Sequence, residues 1–348
     1  MILAELLDLD PAYWTTTVIK ILVMALVVPT TALILGIVFL FKMMSWMQSR
    51  VGPQEAGPKG LLQLLADGVK FMQKEDIVPD RADRFVFKMA PMVVLVSTFL
   101  LFVILPAAPD AVVADLPTGV YFALAISSVS VIGVLMAGWA SANKYALMGG
   151  VRAAGQLIAY ELPMVLAVVG VVIQAGTLNM NGIVAAQNSF HLFGWEVLNV
   201  PFIVTQLPMF FVFMAATQAE LTQPPFDMPV AESELVSGYT VEYSGFRFLL
   251  FFLAEFATAF AFAGIAATLV LGGYALPFVD IEQYADLYWF LGPAVLFGKI
   301  MLISFLIFWV RFTYPRFRED QLQRIAWKFL IPISLVWLAV TAIAKVVW

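Results

Sequence analysis

The sequence predicts an all-α integral membrane protein with about eight transmembrane helices and one cytoplasmic amphipathic helix at the membrane interface. Three observations carry this. The 348 residues are 62% hydrophobic and 12% charged, against about 45–50% and about 25% in a soluble domain. Apolar runs recur at roughly 18–41, 89–106, 117–139, 157–176, 200–218, 246–272, 288–310 and 327–347, each near the about 20 residues that a spanning helix needs. No strand alternation competes with them and no internal repeat is visible, so residues 1–348 read as a single polytopic domain.

The N-terminus carries Glu5, Asp8 and Asp10 before its first Lys. A secretory signal begins with a basic region, so the first run reads as a retained span. The segment at 42–88 holds Lys42, Arg50, Lys59, Lys70, Lys74, Arg81, Arg84 and Lys88. The third connection has Lys144 and Arg152, and the seventh has Arg311, Arg316, Arg318, Arg324 and Lys328. Basic loops stay in the cytoplasm, which places both termini outside. Within 42–88, Leu61, Leu65, Val69 and Met72 recur at helical spacing. A helix over about 61–75 rises about 22 Å, too short to span, and reads as interfacial or as packed on another subunit. Tyr13, Trp14, Trp46, Trp139, Tyr145, Tyr288, Trp289, Trp327 and Trp348 fall near proposed boundaries, as interfacial aromatics do.

The chain has no Cys, and His191 is its one histidine. This argues against an iron–sulfur cluster, a haem with two His ligands or a Cys/His zinc site. The net charge of −5 comes without a basic cluster that would suit nucleic acid. His191 reads as a surface residue. Lys20 and Lys345 lie near outer span ends and can snorkel. Glu161, Glu255 and Lys299 lie deeper, where charge is costly and marks ion or proton paths; the competing reading is a buried polar group paired for packing. Arg152, Gln156 and Tyr160 are spaced four apart and share one helix face.

The stretch at 219–245 is acidic, with Glu220, Asp227, Glu232, Glu234 and Glu242 and no Lys or Arg. Pro224, Pro225 and Pro229 preclude a regular helix across it. Irregular backbone near a membrane is tolerated where protein or a water-filled cavity surrounds it, so this reads as a buried acidic loop on the cytoplasmic side. A solvated acidic surface is the bland alternative. Like charges raise one another's pKa, so the loop should titrate as a coupled set, with at least one of Asp227, Glu232 and Glu234 protonated at neutral pH.

Three motifs, RVGPQEAGPKGLLQLLADGVK (50–70), KYALMGGVRAAGQLIAYELPM (144–164) and ELTQPPFDMPVAESELVSGYTVEYSG (220–245), resemble the signatures of the H-type subunit family of respiratory complex I, the heel subunit of the membrane arm. The resemblance covers nearly the whole chain. It implies a subunit of a proton-translocating NADH-quinone oxidoreductase in the inner (cell) membrane of a bacterium. Such subunits wall the quinone tunnel, with ubiquinone or another quinone as substrate, and couple it to intramembrane carboxylates. It also implies that no cofactor is bound by this chain alone, with NADH, flavin and iron–sulfur clusters on partner subunits. Those partners are the other membrane-arm subunits and the quinone-site and iron–sulfur subunits of the peripheral arm. The proton-coupling residues map onto Glu161, Glu220, Asp227, Glu232, Glu234, Glu242 and Glu255. Quinone access maps onto Arg50, Lys42 and Phe226, with Lys299 and Arg152 as intramembrane charges. Leu40 and Phe41 stand where many relatives have Glu-Arg, and Val230 where many have Glu. A heel subunit of a membrane-bound hydrogenase or non-NADH dehydrogenase, and a stand-alone ion transporter, are the alternative readings.

Overall fold

The computed structural model describes residues 11–109, 111–192, 195–198, 200–277 and 285–347. Helix α1 (Pro11–Leu35) continues through a π-helical stretch (Gly36–Met43), which holds Leu40, Phe41 and Lys42, to a last turn (Met44–Met47). There follow α2 (Gln63–Gln73), α3 (Arg84–Phe102), α4 (Gly119–Ala140), α5 (Lys144–Ala175) and α6 (Met180–Asn188). After an antiparallel hairpin come α7 (Leu207–Glu220), α8 (Gly245–Val270) and α9 (Ala285–Thr313). A π-helical stretch (Ala326–Leu330) joins α10 (Glu319–Ile325) to α11 (Ile331–Val347). Glu5, Asp8, Asp10 and Trp348 lie outside the described residues, as do the side chains of Tyr13, His191, Tyr288 and Trp289.

Among the described residues, seven helices are long and apolar enough to cross a membrane; the chain is a multi-pass, all-α membrane protein. The run at 200–218 folds differently from the single span expected. It divides into a 3-10 turn (Phe202–Val204) and α7, which has 14 residues. Such a helix rises about 21 Å, less than the about 30 Å of hydrocarbon, yet it runs from the Gln174 end of α5, which Gln206 meets, toward the Arg152 end, where Ala219 meets Gln156, and so makes the eighth passage through the bundle. Pro201 and Pro208 account for the division. Proline cannot donate inside a helix, but is tolerated in the first turn, where Pro208 sits. The hairpin pairs β1 (Ser189–Leu192) with β2 (Trp195–Leu198), Phe190 opposite Val197. The aromatic and branched residues of this connection favour pleated structure.

Helix α8 is the axis of the bundle, packed against α1, α3 and α9. Its buried face is rich in small residues, including Ala257, Ala261, Gly264 and Ala267, which let neighbouring backbones approach closely. Helix α5 has 32 residues and rises about 48 Å, so it extends well beyond a bilayer crossing. Asn143 caps its start by accepting from the Tyr145 amide, and Gly176, in the left-handed region, ends it. Helix α2 buries Leu64 against Gly36 and sets Phe71 beside Phe248 of α8. It leaves Leu65, Val69 and Met72 exposed, as is Leu61 just before its start.

Candidate functional site

The loop between α7 and α8 is moored to one stripe of α5. Arg152 donates to Glu234 Oε2 at 2.7 Å. One turn on, buried Gln156 donates to the carbonyls of Ala219 and Phe226, each at 2.7 Å. After another turn, the Tyr160 ring packs edge-on to Phe226 at 5.2 Å and its hydroxyl donates to Leu322 O at 2.9 Å. The first of these carbonyls is at the C-terminal end of α7, where helix geometry leaves acceptors without intrahelical donors. Gly149 completes the seam. A Cβ there would lie 2.6 Å from the Tyr239 amide nitrogen, so only glycine lets α5 meet the loop backbone. Beyond the seam the loop holds a tight turn at Val236, φ 64° and ψ −68°, closed by Ser237 N–H to Leu235 O at 2.7 Å. Such γ-turns are strained for a β-branched residue.

Beneath this seam lies a cavity of about 60 Å³ between α3, α4, α5 and α8. Its polar lining includes Glu220, Glu255, Tyr239, Ser97, Ser127, Ser130, Thr222 and Thr258. A space of this size, with carboxylates and hydroxyls on a partly apolar wall, can hold water, which needs about 10–15 Å³ of such volume and two to four polar partners. Glu255, in α8, pairs with Arg311 at 3.1 Å and accepts from Gln223 Nε2 at 3.2 Å. Glu161, in α5, accepts from the Ser128 hydroxyl, and its charge acts on Glu220. Glu220 and Glu255 thus share one cavity, and Glu161 acts on Glu220 from α5.

Asp227 stands above them in the loop. Burial, then the Glu255 charge, pushes its carboxyl up to about 6; Arg311 and Arg316 oppose this and Glu232 adds to it. Burial and the charges of Glu255 and Asp227 likewise raise the Tyr239 phenol above its ordinary range. Glu234 goes the other way. The Arg152 hydrogen bond, with help from Arg316, holds it below the usual carboxylate range. The loop member with the raised value is therefore Asp227, and a value near 6 leaves it mostly ionised at neutral pH.

Glu232 is exposed. Glu242 turns away from the cavity, accepting from Asn143 Nδ2 at 2.6 Å beside Arg81 and Lys144. Asn143 therefore both caps α5 and holds this loop acid. Lys299 donates to the carbonyls of Leu271 at 2.6 Å, Gly273 at 2.9 Å and Ala275. Leu271 closes α8 and Gly273 and Ala275 lie in the turn beyond it, so the cation sits at the negative helix terminus. Lys20 and Lys345 likewise donate to backbone carbonyls, of Val113 and Gln174. Of the residues expected at the quinone access, Lys42 donates to Pro53 O at 2.7 Å, and exposed Arg50 meets Gln48 Oε1 at 2.6 Å. Phe226 is buried between the rings of Tyr160 and Phe317. Among the described residues, no group of His, Asp and Glu is arranged to hold a metal ion.

The model of a family described as NADH dehydrogenase matches residues 19–342. A protein of Rhodospirillum rubrum, named as the H subunit of NADH-quinone oxidoreductase, is 42% identical over 330 residues, 94% of each chain. A namesake from Anoxybacillus flavithermus is 45% identical over 89% of this chain and 88% of its own. Another from Brevibacillus brevis is 42% identical over 95% and 94%. The chain belongs to the H-type subunit family of NADH-quinone oxidoreductase.

The H-type subunit is a membrane component of an oxidoreductase complex. In this member, Arg311 and Arg316 do more than mark orientation, which is all that the sequence assigns them. The structure pairs Arg311 with Glu255 and Arg316 with Glu234. It also ties Phe317 to the loop, through its N–H to Pro225 O at 3.0 Å and its ring beside Phe226 at 5.5 Å. Arg247, the base nearest the acidic motif, pairs instead with Asp76 at 3.0 Å. A polar residue at the end of an apolar span is the available signal for Arg311; its partner, 56 positions away, is not readable from the chain.

Proposed function

We propose that this subunit walls the access path of a quinone and couples quinone reduction to proton translocation through Glu161, Glu220, Asp227 and Glu255. The observation that carries the reading is the polar cavity shared by Glu220 and Glu255 directly under a loop moored to α5. Reduction of a quinone creates negative charge before protons arrive, and a carboxylate in a low-dielectric surround responds strongly to such charge. The loop is the part suited to feel it, because Asp227 is half-buried in the loop and lies in the field of Glu255, which lines the cavity. Arg50, Lys42 and the exposed apolar face of α2 supply polar and apolar sides to the access path. Glu232, Glu234 and Glu242 act at the loop surface, where Glu234 is the clamp to Arg152 and Arg316. Electron carriers, flavin and iron–sulfur clusters belong to partner subunits, which dock on the end bearing residues 42–88 and the acidic loop. That end faces the cytoplasm, with both termini outside.

The test is Glu220→Gln in the whole assembly, reconstituted in vesicles. Quinone reductase activity and proton uptake should both fall about tenfold or more while all subunits still co-purify. Full turnover with full pumping would overturn the assignment.

A further inference from the structure

Arg311 lies at the end of α9 with its guanidinium 5.8 Å from the ring centre of Phe256, 5.8 Å from that of Phe308 and 5.9 Å from that of Phe312. Its single ion pair among the described residues is with Glu255, at 3.1 Å. Attraction between a cation and ring faces holds the charge in place without fixing one hydrogen-bond direction. Arg316 is differently placed. It is tied to Glu234, which Arg152 also holds. Asp227 lies within the fields of both arginines and makes no ion pair of its own among the described residues. A partly buried carboxylate without a partner is costly when ionised, and Arg311 is the cation free to answer it.

We propose that Arg311 is a positioning residue for the coupling step, seated on Glu255 while Asp227 carries a proton and drawn to Asp227 when that proton leaves. This rests on the functional reading above. Ionisation of Asp227 releases one proton to the loop surface. The guanidinium slides across its aromatic shelf toward the new anion. Glu255, stripped of its cation, then accepts a proton from Glu220 through the cavity both line, and Glu220 is left as the anion. The charged groups facing Asp227 are Glu255 of α8, Arg311 of α9, Arg316 of the following connection and Glu232 of its own loop. Tyr239 faces both Asp227 and Glu255. Of these, Arg311 alone can change partner without breaking the Glu234 clamp. The event moves through Asp227's range near pH 6.

The test is a pair of maps of the intact assembly in lipid discs, at pH 5 and pH 8, with Asp227→Asn at pH 8 as control. Arg311 should sit within about 4 Å of Glu255 at pH 5, a contact distance for an ion pair, and of Asp227 at pH 8. Asp227→Asn should keep the acid arrangement at pH 8. An unchanged Arg311–Glu255 pair at both values, or movement of Arg316 instead, would overturn the proposal. The pH profile of quinone turnover gives a second reading. The wild type should show a step near pH 6 that Asp227→Asn and Arg311→Gln abolish and Arg311→Lys retains; a step persisting in Arg311→Gln would also overturn it. Loss of coupling in Glu220→Gln with an immobile Arg311 would leave the functional reading standing and sink the exchange alone.

Discussion

Gln156→Leu isolates the mooring of the acidic loop. Gln156 is 2% exposed and its amide donates to two carbonyls. The Ala219 carbonyl also accepts from the Thr222 amide at 3.1 Å, so losing Gln156 costs it about 1 kcal/mol, the net value of one bond. The Phe226 carbonyl has no second donor among the described residues and is orphaned, at about 1–3 kcal/mol. Against this, the Gln156 Oε1 is itself buried without a donor, and removing it returns a similar amount. Leucine keeps most of the volume, so no large cavity opens. The net loss is about 1 kcal/mol, or about fivefold in the opening equilibrium of the loop. Hydrogen exchange on the assembled complex reads this directly. Amides of residues 221–243 should exchange about fivefold faster, while those of α8 keep their protection. Gln156→Ala should exceed this, because a void adds to the lost bonds. Equal exchange in wild type and both variants would refute the claim that these two hydrogen bonds hold the loop.

Two further outcomes are expected. Asp227 binds its proton more tightly folded than unfolded, so stability associated with the loop is highest below about pH 4 and declines as pH rises through about 6. Asp227→Asn should flatten this slope in pH-dependent loop proteolysis; a slope of the same size in the variant would place its origin elsewhere. Lys299→Met removes three hydrogen bonds from the Leu271 carbonyl that closes α8 and the Gly273 and Ala275 carbonyls of the turn beyond it. It should lower the thermal midpoint of the isolated membrane arm at a cost of about 2–4 kcal/mol, leaving protons pumped per electron unchanged in the intact assembly. Lost pumping with an unchanged midpoint would return Lys299 to the proton path.

Composition and run length alone determined the membrane-spanning helical architecture, because lipid forces every backbone amide into a helix or closed barrel and demands about 20 apolar residues per crossing. The Arg152, Gln156 and Tyr160 stripe was legible for the same reason: spacing by four fixes a helix face whatever surrounds it. The division of the run at 200–218 depended on where Pro201 and Pro208 interrupt it, which apolar content does not register. Only the tertiary structure decided which carboxylates belong together. Glu220 and Glu255 line one cavity because α7 and α8 converge on it, with Glu161 of α5 near enough to act on Glu220, while Glu232 of the same motif is exposed and Glu242 is held by Asn143. The roles of Lys299, as a cap on α8, and of Arg311 and Arg316, as partners of loop and span, were equally hidden. A charged side chain announces its cost in the sequence, but what offsets that cost is a group brought near by packing, tens of residues away along the chain.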